Sequence, residues 1–208
     1  MYIGASNLPF VYRQNTKLEG IELVGYDKIG LFNHDKTVHF FLDDYRFDKV
    51  WDDFASQTKR LAKHPQVLGP DFSTYTDMPL YLQKYNVFKN RWCCAYWQKA
   101  GLAVVPTMSW SDEDSFEWCF GGIEKGTKVA VSTVGSYDWS NEFVVAFKEM
   151  IKQIDPEQVL VYGKLFEGMD GLVDITRIPY SYIKSDYFDE SEVQVDEGIT
   201  DHNDGVVD

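Results

Sequence analysis

Apolar positions along the chain fall into two periods that alternate. Short β-branched and aromatic runs predict strands at Ile21–Tyr26, Thr37–Leu42, Val67–Gly69, Leu102–Val105, Lys128–Val134 and Gln158–Gly163. Between them, apolar residues recur at three- and four-residue steps. Phe47, Val50, Trp51, Phe54 and Leu61 predict a helix over Arg46–His64, ended by His64-Pro65. Met78, Leu82, Tyr85, Phe88, Trp92 and Tyr96 predict the core stripe of a longer helix from Asp77 to Ala100. Asp77 is its expected cap, Pro79 sits in its first turn, and Gly101 follows its end. A short helix opens at Ser111/Asp112. Phe143, Val144, Phe147, Met150, Ile151 and Ile154 mark another over Asn141–Ile154, broken by Asp155-Pro156.

Strand–helix alternation over four or five units implies parallel strands joined by right-handed crossovers. Leu102–Val105 lacks polar alternation, as expected for a strand covered on both faces. The expected fold is α/β: a mostly parallel sheet of about 5–6 strands with crossover helices, either an open wound sheet or a partial TIM-like barrel. Eight full units need about 200–250 residues, so a complete barrel is cramped in 208. Residues 1–20 lead in as irregular structure over the sheet. Residues 164–184 carry turn signals and room for a short closing strand or helix.

Composition changes this picture mainly at the C-terminus. The net charge is −13, and nine acidic residues from Asp186 to Asp208 face no Lys or Arg. Removing those nine charges leaves about −4 for residues 1–184, which are read as a single α/β domain followed by an acidic, disordered tail at 185–208. That balance offers no basic footprint for nucleic acid. The aromatic share of 16% predicts ring-lined cores and pockets. No apolar run approaches the roughly 18–20 residues that span a bilayer, and the first residues lack a secretory pattern. Cys93, Cys94 and Cys119 are expected to be buried and reduced, and no zinc-ligand spacing occurs. The expected location is therefore cytoplasmic.

Several short motifs resemble one family. They are Gly-Pro-Asp-Phe-Ser at 69–73, Met78-Pro79, Asn86, Asn90-Arg91, Tyr96-Trp97-Gln98, Gly101, Pro106, Ser109-Trp110, Gly121-Gly122-Ile123, Val129–Ser132 and Tyr162-Gly163. Together they are similar to an uncharacterised family of phages, plasmids and conjugative elements known as domain of unknown function 4417. The resemblance runs over roughly residues 20–165. It implies a mobile-element origin and an intracellular setting, within the host cell cytoplasm if phage-encoded, and supplies no catalytic residues.

Ligands of parallel α/β proteins bind beyond the carboxyl ends of the strands. That rule selects Asp43 and Asp44, then Asp71 and Ser73, then Thr107, Ser109 and Trp110, then Ser132, Thr133, Gly135 and Ser136, and finally Tyr162 and Gly163. Asp71 stands out as a candidate acid/base; Asn86 and Asn90 read as ties from the long helix to a loop or neighbouring strand, and Arg91 as solvated surface or a salt-bridge partner. No nucleophile elbow or phosphate-loop spacing is present, and no motif names a cofactor. Three functions follow as expectations. The favoured one is binding or host interference, engaging a host or defence protein or a small polar ligand at the strand-end rim. The alternative is a small hydrolase using Asp71 on a phosphorylated or glycosidic substrate, and a replication or transfer accessory role is a third.

Overall fold

Apolar runs covered on both faces form the central strands, which are short. The structure, a computed structural model, describes residues 7–30 and 34–180. The acidic stretch at 185–208 lies outside the described residues, as does Asn33 of the 33–36 turn. Seven strands form: β1 Leu23–Gly25, β2 Thr37–His39, β3 Val67–Leu68, β4 Val104–Val105, β5 Val129–Ser132, β6 Val159–Tyr162 and β7 Ile175–Ile178. Each expected strand is present in shortened form, and β7 is the closing strand. All pairings are parallel and follow chain order, β1 to β4 and β5 to β7. A parallel bridge from Thr107 to Ala130 joins the two sets, with Met108 N–H donating to the Ala130 carbonyl at 2.8 Å.

Chain-order pairing with no reversal separates this sheet from a doubly wound one, and side-chain contacts show that it curls. His39 on β2 and Tyr162 on β6 are four strands apart, about 19 Å across a flat sheet. Their rings lie 5.1 Å apart, and Tyr162 also stacks on Phe41 at 5.0 Å. The sheet is therefore a partial barrel. Successive residues alternate between its two faces. Leu68, Val105, Ala130, Leu160 and Tyr162 fill the inside with Leu18 of the N-terminal arm, whereas Val38, Val67, Val104, Val129, Val131, Val159 and Val161 face the helices. Leu18 plugs the end at which the strands begin, held there by Gln66, whose amide donates to the Lys17 carbonyl at 2.6 Å.

The helices correct two expectations. The segment Arg46–His64 is not one helix: a turn at Asp53 (φ −120°, ψ 58°) divides α1 Lys49–Asp52 from α2 Phe54–Leu61. α3 spans Leu80–Lys99, with Pro79 at its N-cap and no side-chain cap from Asp77. α4 spans Ser140–Ile154 and buries the expected stripe, except that Ile151 is only partly covered.

The larger surprise is the face that α3 buries. Leu82 and Tyr85 are exposed, while Gln83, Asn86, Asn90 and Arg91 are buried with Val87, Cys93, Cys94 and Trp97. The aromatic stripe instead packs sideways, Trp92 and Tyr96 against Phe54 at 4.4 Å each. Polar residues turn inward because strand ends leave carbonyls without ladder partners, and buried carbonyls need donors. Asn86 donates to the Ser73 carbonyl at 2.6 Å, and Asn90 to the carbonyls of Pro70 and Thr107 at 2.7 and 3.2 Å. Arg91 is not solvated surface but 1% exposed; it donates to the Gly121 and Cys119 carbonyls at 2.9 and 2.6 Å and to Asn90 Oδ1 at 2.6 Å.

Candidate functional site at the open end of the barrel

The carboxyl ends of the strands open into a wide cleft of about 2120 Å³. Among the described residues β1 pairs only with β2 and β7 only with β6. The seam between these edges opens into the same cleft, which Ile21–Gly25 and Ile178–Tyr180 border. Of the rim residues chosen from sequence, Asp43, Asp71, Ser73, Ser109, Trp110, Ser132 and Tyr162 line it together, with Gly135 and Ser136. Four others, Gly163 among them, lie off it. Thr107 is buried, its hydroxyl donating to the Gly69 carbonyl at 2.7 Å. Thr133 is fully buried, its hydroxyl donating to the Tyr162 carbonyl at 3.4 Å. Asp44 stands behind the wall, accepting bonds from Ser73 N–H (3.2 Å) and Ser73 hydroxyl (2.9 Å).

Asp71 is placed by backbone constraints. Gly69, two residues earlier, runs so close to its neighbours that a Cβ there would sit 2.8 Å from both Thr107 N and Cys94 Sγ. Asn90 then clamps the Pro70 carbonyl. The chain leaves β3 against α3 and presents Asp71 to the cleft, half-buried. Its carboxyl has no hydrogen-bond or ion-pair partner among the described residues. Burial pushes its pKa up, helped by the nearby charge of Asp44, to about 7. The site thus holds a carboxyl that gives up its proton far less readily than an ordinary aspartic acid.

His39 is the residue that reading the sequence missed. It lies on β2, 7% exposed, and forms part of the cleft floor. Its Nδ1 accepts from Phe41 N–H at 3.2 Å, which places the remaining proton on Nε2. Burial, with Lys28 nearby, pushes its pKa down to about 4, so the ring stays neutral. Tyr162 stacks beside it, and burial raises its pKa. The only sequence signal was a lone His between apolar residues, which also fits ordinary core packing.

The walls are acidic and aromatic. Within the cleft Arg46 pairs with Asp27, and Lys36 with Glu22 at 2.8 Å. That leaves Asp43, Asp71, Asp77, Asp112, Glu113 and Glu142 facing Lys28 alone among the lining cations. Trp110, held by Phe143 at 4.8 Å and Phe120 at 5.9 Å, is a supported wall. Among the described residues no group of three or more His, Cys, Asp or Glu is placed to hold a metal ion. No helix there is long and apolar enough to cross a membrane.

The chain is similar to proteins of two mycobacteriophages. It is 42% identical over 132 residues to the "Gene 1 protein" of Mycobacterium phage L5, covering 62% of this chain and 58% of that protein. It is 40% identical over 136 residues to the "Gene 1 protein" of Mycobacterium phage D29, covering 62% and 49%. The chain thus spans about half the length of the curated relatives it matches. No solved structure matches it. The model of the family described as "Domain of unknown function (DUF4417)" matches residues 2–180, and the chain belongs to that family.

Proposed function

We propose that this protein binds a small polar ligand in the cleft at the carboxyl ends of its strands, anchored on Asp71. One observation carries the reading: the carboxyl of Asp71 faces the cleft with no protein partner although burial and Asp44 act against its ionisation. A polar group left without a partner in a partly desolvated site is one that a ligand satisfies. The phage relatives support placing that ligand in an infected host cell. The test is ligand-observed NMR against a panel of polyols, amines and phosphoesters, with wild type and Asp71→Leu. Contact with at least one class, lost in the variant, is expected. No contact by any class, or equal contact in both proteins, would sink the reading.

A second reading rests on the proton itself. A carboxyl with a pKa of about 7 is matched to general acid work at neutral pH, so hydrolysis of a glycosidic or phosphorylated substrate is the chemistry it suits. The excess of carboxylates in the walls repels phosphate and favours the glycosidic member of that pair. Aryl glycosides and aryl phosphates, each assayed with wild type and Asp71→Asn, decide it. Turnover that is absent, or unchanged by the substitution, removes this role.

A further inference from the structure

We infer that His39 is a binding residue of this cleft and that, with Tyr162 and Asp71, it makes the site a receptor for a neutral, hydroxyl-rich ring ligand, a carbohydrate. This rests on the small-ligand reading above and names its chemical class.

The floor demands acceptors. His39 is more than nine-tenths buried, its Nδ1 is engaged by Phe41 N–H, and its Nε2 has no partner among the described residues. Tyr162 is equally buried, stacked against Phe41 with an interplanar angle of 12°, and its hydroxyl also lacks a partner there. Asp71 adds a third polar group facing the same space. An N–H, an O–H and a proton-bearing carboxyl are all donors, and unmet donors in a sheltered site are costly.

The walls demand the opposite. Apart from Asp71, five unpaired carboxyl side chains face a single lysine, so hydrogen-bond acceptors predominate there. A phosphate or carboxylate ligand would satisfy the floor but meet repulsion from the walls. A cation would suit the walls but meet the His39 Nε2–H at the floor, which can only donate. Hydroxyl groups donate and accept, so a polyol answers both. Exposed or half-exposed rings at the cleft, among them Tyr75, Trp110, Trp139 and Tyr180, offer flat apolar faces for the C–H side of a sugar ring. The volume of about 2120 Å³ exceeds the roughly 300–1,000 Å³ of a cleft for one drug-sized ligand, which leaves room for several linked rings.

The test is a glycan array of neutral, sialylated and sulfated oligosaccharides probed with the labelled full chain, with AMP and spermidine titrated in parallel by calorimetry. Binding to neutral glycans is expected. For the tightest neutral glycan, His39→Leu should weaken binding about tenfold, the loss of one hydrogen bond. His39→Gln, which places a donor near the former Nε2, should stay within about threefold of wild type. Circular dichroism checks that both variants fold, and the Gln variant supplies the answer if the Leu variant does not. Neutral glycans that fail to bind, or that bind His39→Leu as well as wild type, overturn the inference. If AMP or spermidine binds in an Asp71-dependent way and neutral glycans do not, the carbohydrate assignment falls and the small-ligand reading stands. If nothing binds, both fall.

Discussion

Replacing Asp71 by Asn should stabilise the protein, and should do so only above acidic pH. The carboxyl has a pKa of about 7 in the folded chain against an ordinary value of 3.8. Between these values the folded state binds more protons than the unfolded state, so Asp71 makes stability fall as pH rises through that window. At about 1.4 kcal/mol per pH unit the full effect above pH 7 is about 4 kcal/mol. The group borders an open cleft, so water screens part of this, and about 2–3 kcal/mol is expected. Asn is isosteric and cannot ionise, and the carboxyl it replaces accepts no protein hydrogen bond whose loss would offset the gain. In a chain of 208 residues that gain corresponds to a rise in Tm of roughly 5–10 °C at pH 8, shrinking to nearly zero by pH 4. Thermal melts of both proteins in parallel from pH 4 to 8 read the difference, in which all other titrations cancel. Asp44→Asn serves as a second arm, since removing that charge should lower the pH at which the wild-type decline levels off. A difference that does not change with pH, or an Asn variant less stable at pH 8, would refute the placement of Asp71 as an unpaired carboxyl. A gain obtained by deleting a polar group is also what a site kept for binding rather than stability would show.

Other residues give sharp outcomes. Arg91→Met should cost about 2–4 kcal/mol in urea unfolding, because the buried carbonyls of Cys119 and Gly121 lose their donors, and Arg91→Lys should not restore stability because a single ammonium cannot reach in two directions. Gly69→Ala should cost about 1–3 kcal/mol by the same assay, since its Cβ would press on Thr107 N and Cys94 Sγ, and a change below about 0.5 kcal/mol would show that the β3 exit is looser than described. Cys93, Cys94 and Cys119 should resist a thiol reagent at pH 8 in the native protein and react fully in denaturant. Burial pushes the thiols of Cys94 and Cys119 up to about 12 and raises Cys93 well above its ordinary value.

The sequence by itself determined the elements and their order. β-branched runs, helical spacing in α4 and the strand–helix alternation are local properties, and they led to a parallel α/β fold and to a rim where Asp71, Ser109, Trp110, Ser132 and Tyr162 do meet. Tertiary structure decided what depends on partners far along the chain. It chose the polar face of α3 for burial, because the carbonyls of Pro70, Ser73 and Thr107 lie where that helix passes the segments leaving the strands, and that of Cys119 lies in a turn packed on the same face. It curled the sheet, through a pairing order and an interior packing that no single strand encodes, and so brought Phe41 and Tyr162 face to face. That curvature also set His39 at the cleft floor. On a strand buried on both faces, alternation does not say which side looks into the barrel, and only closure of the sheet turns a core histidine into the floor of a cleft.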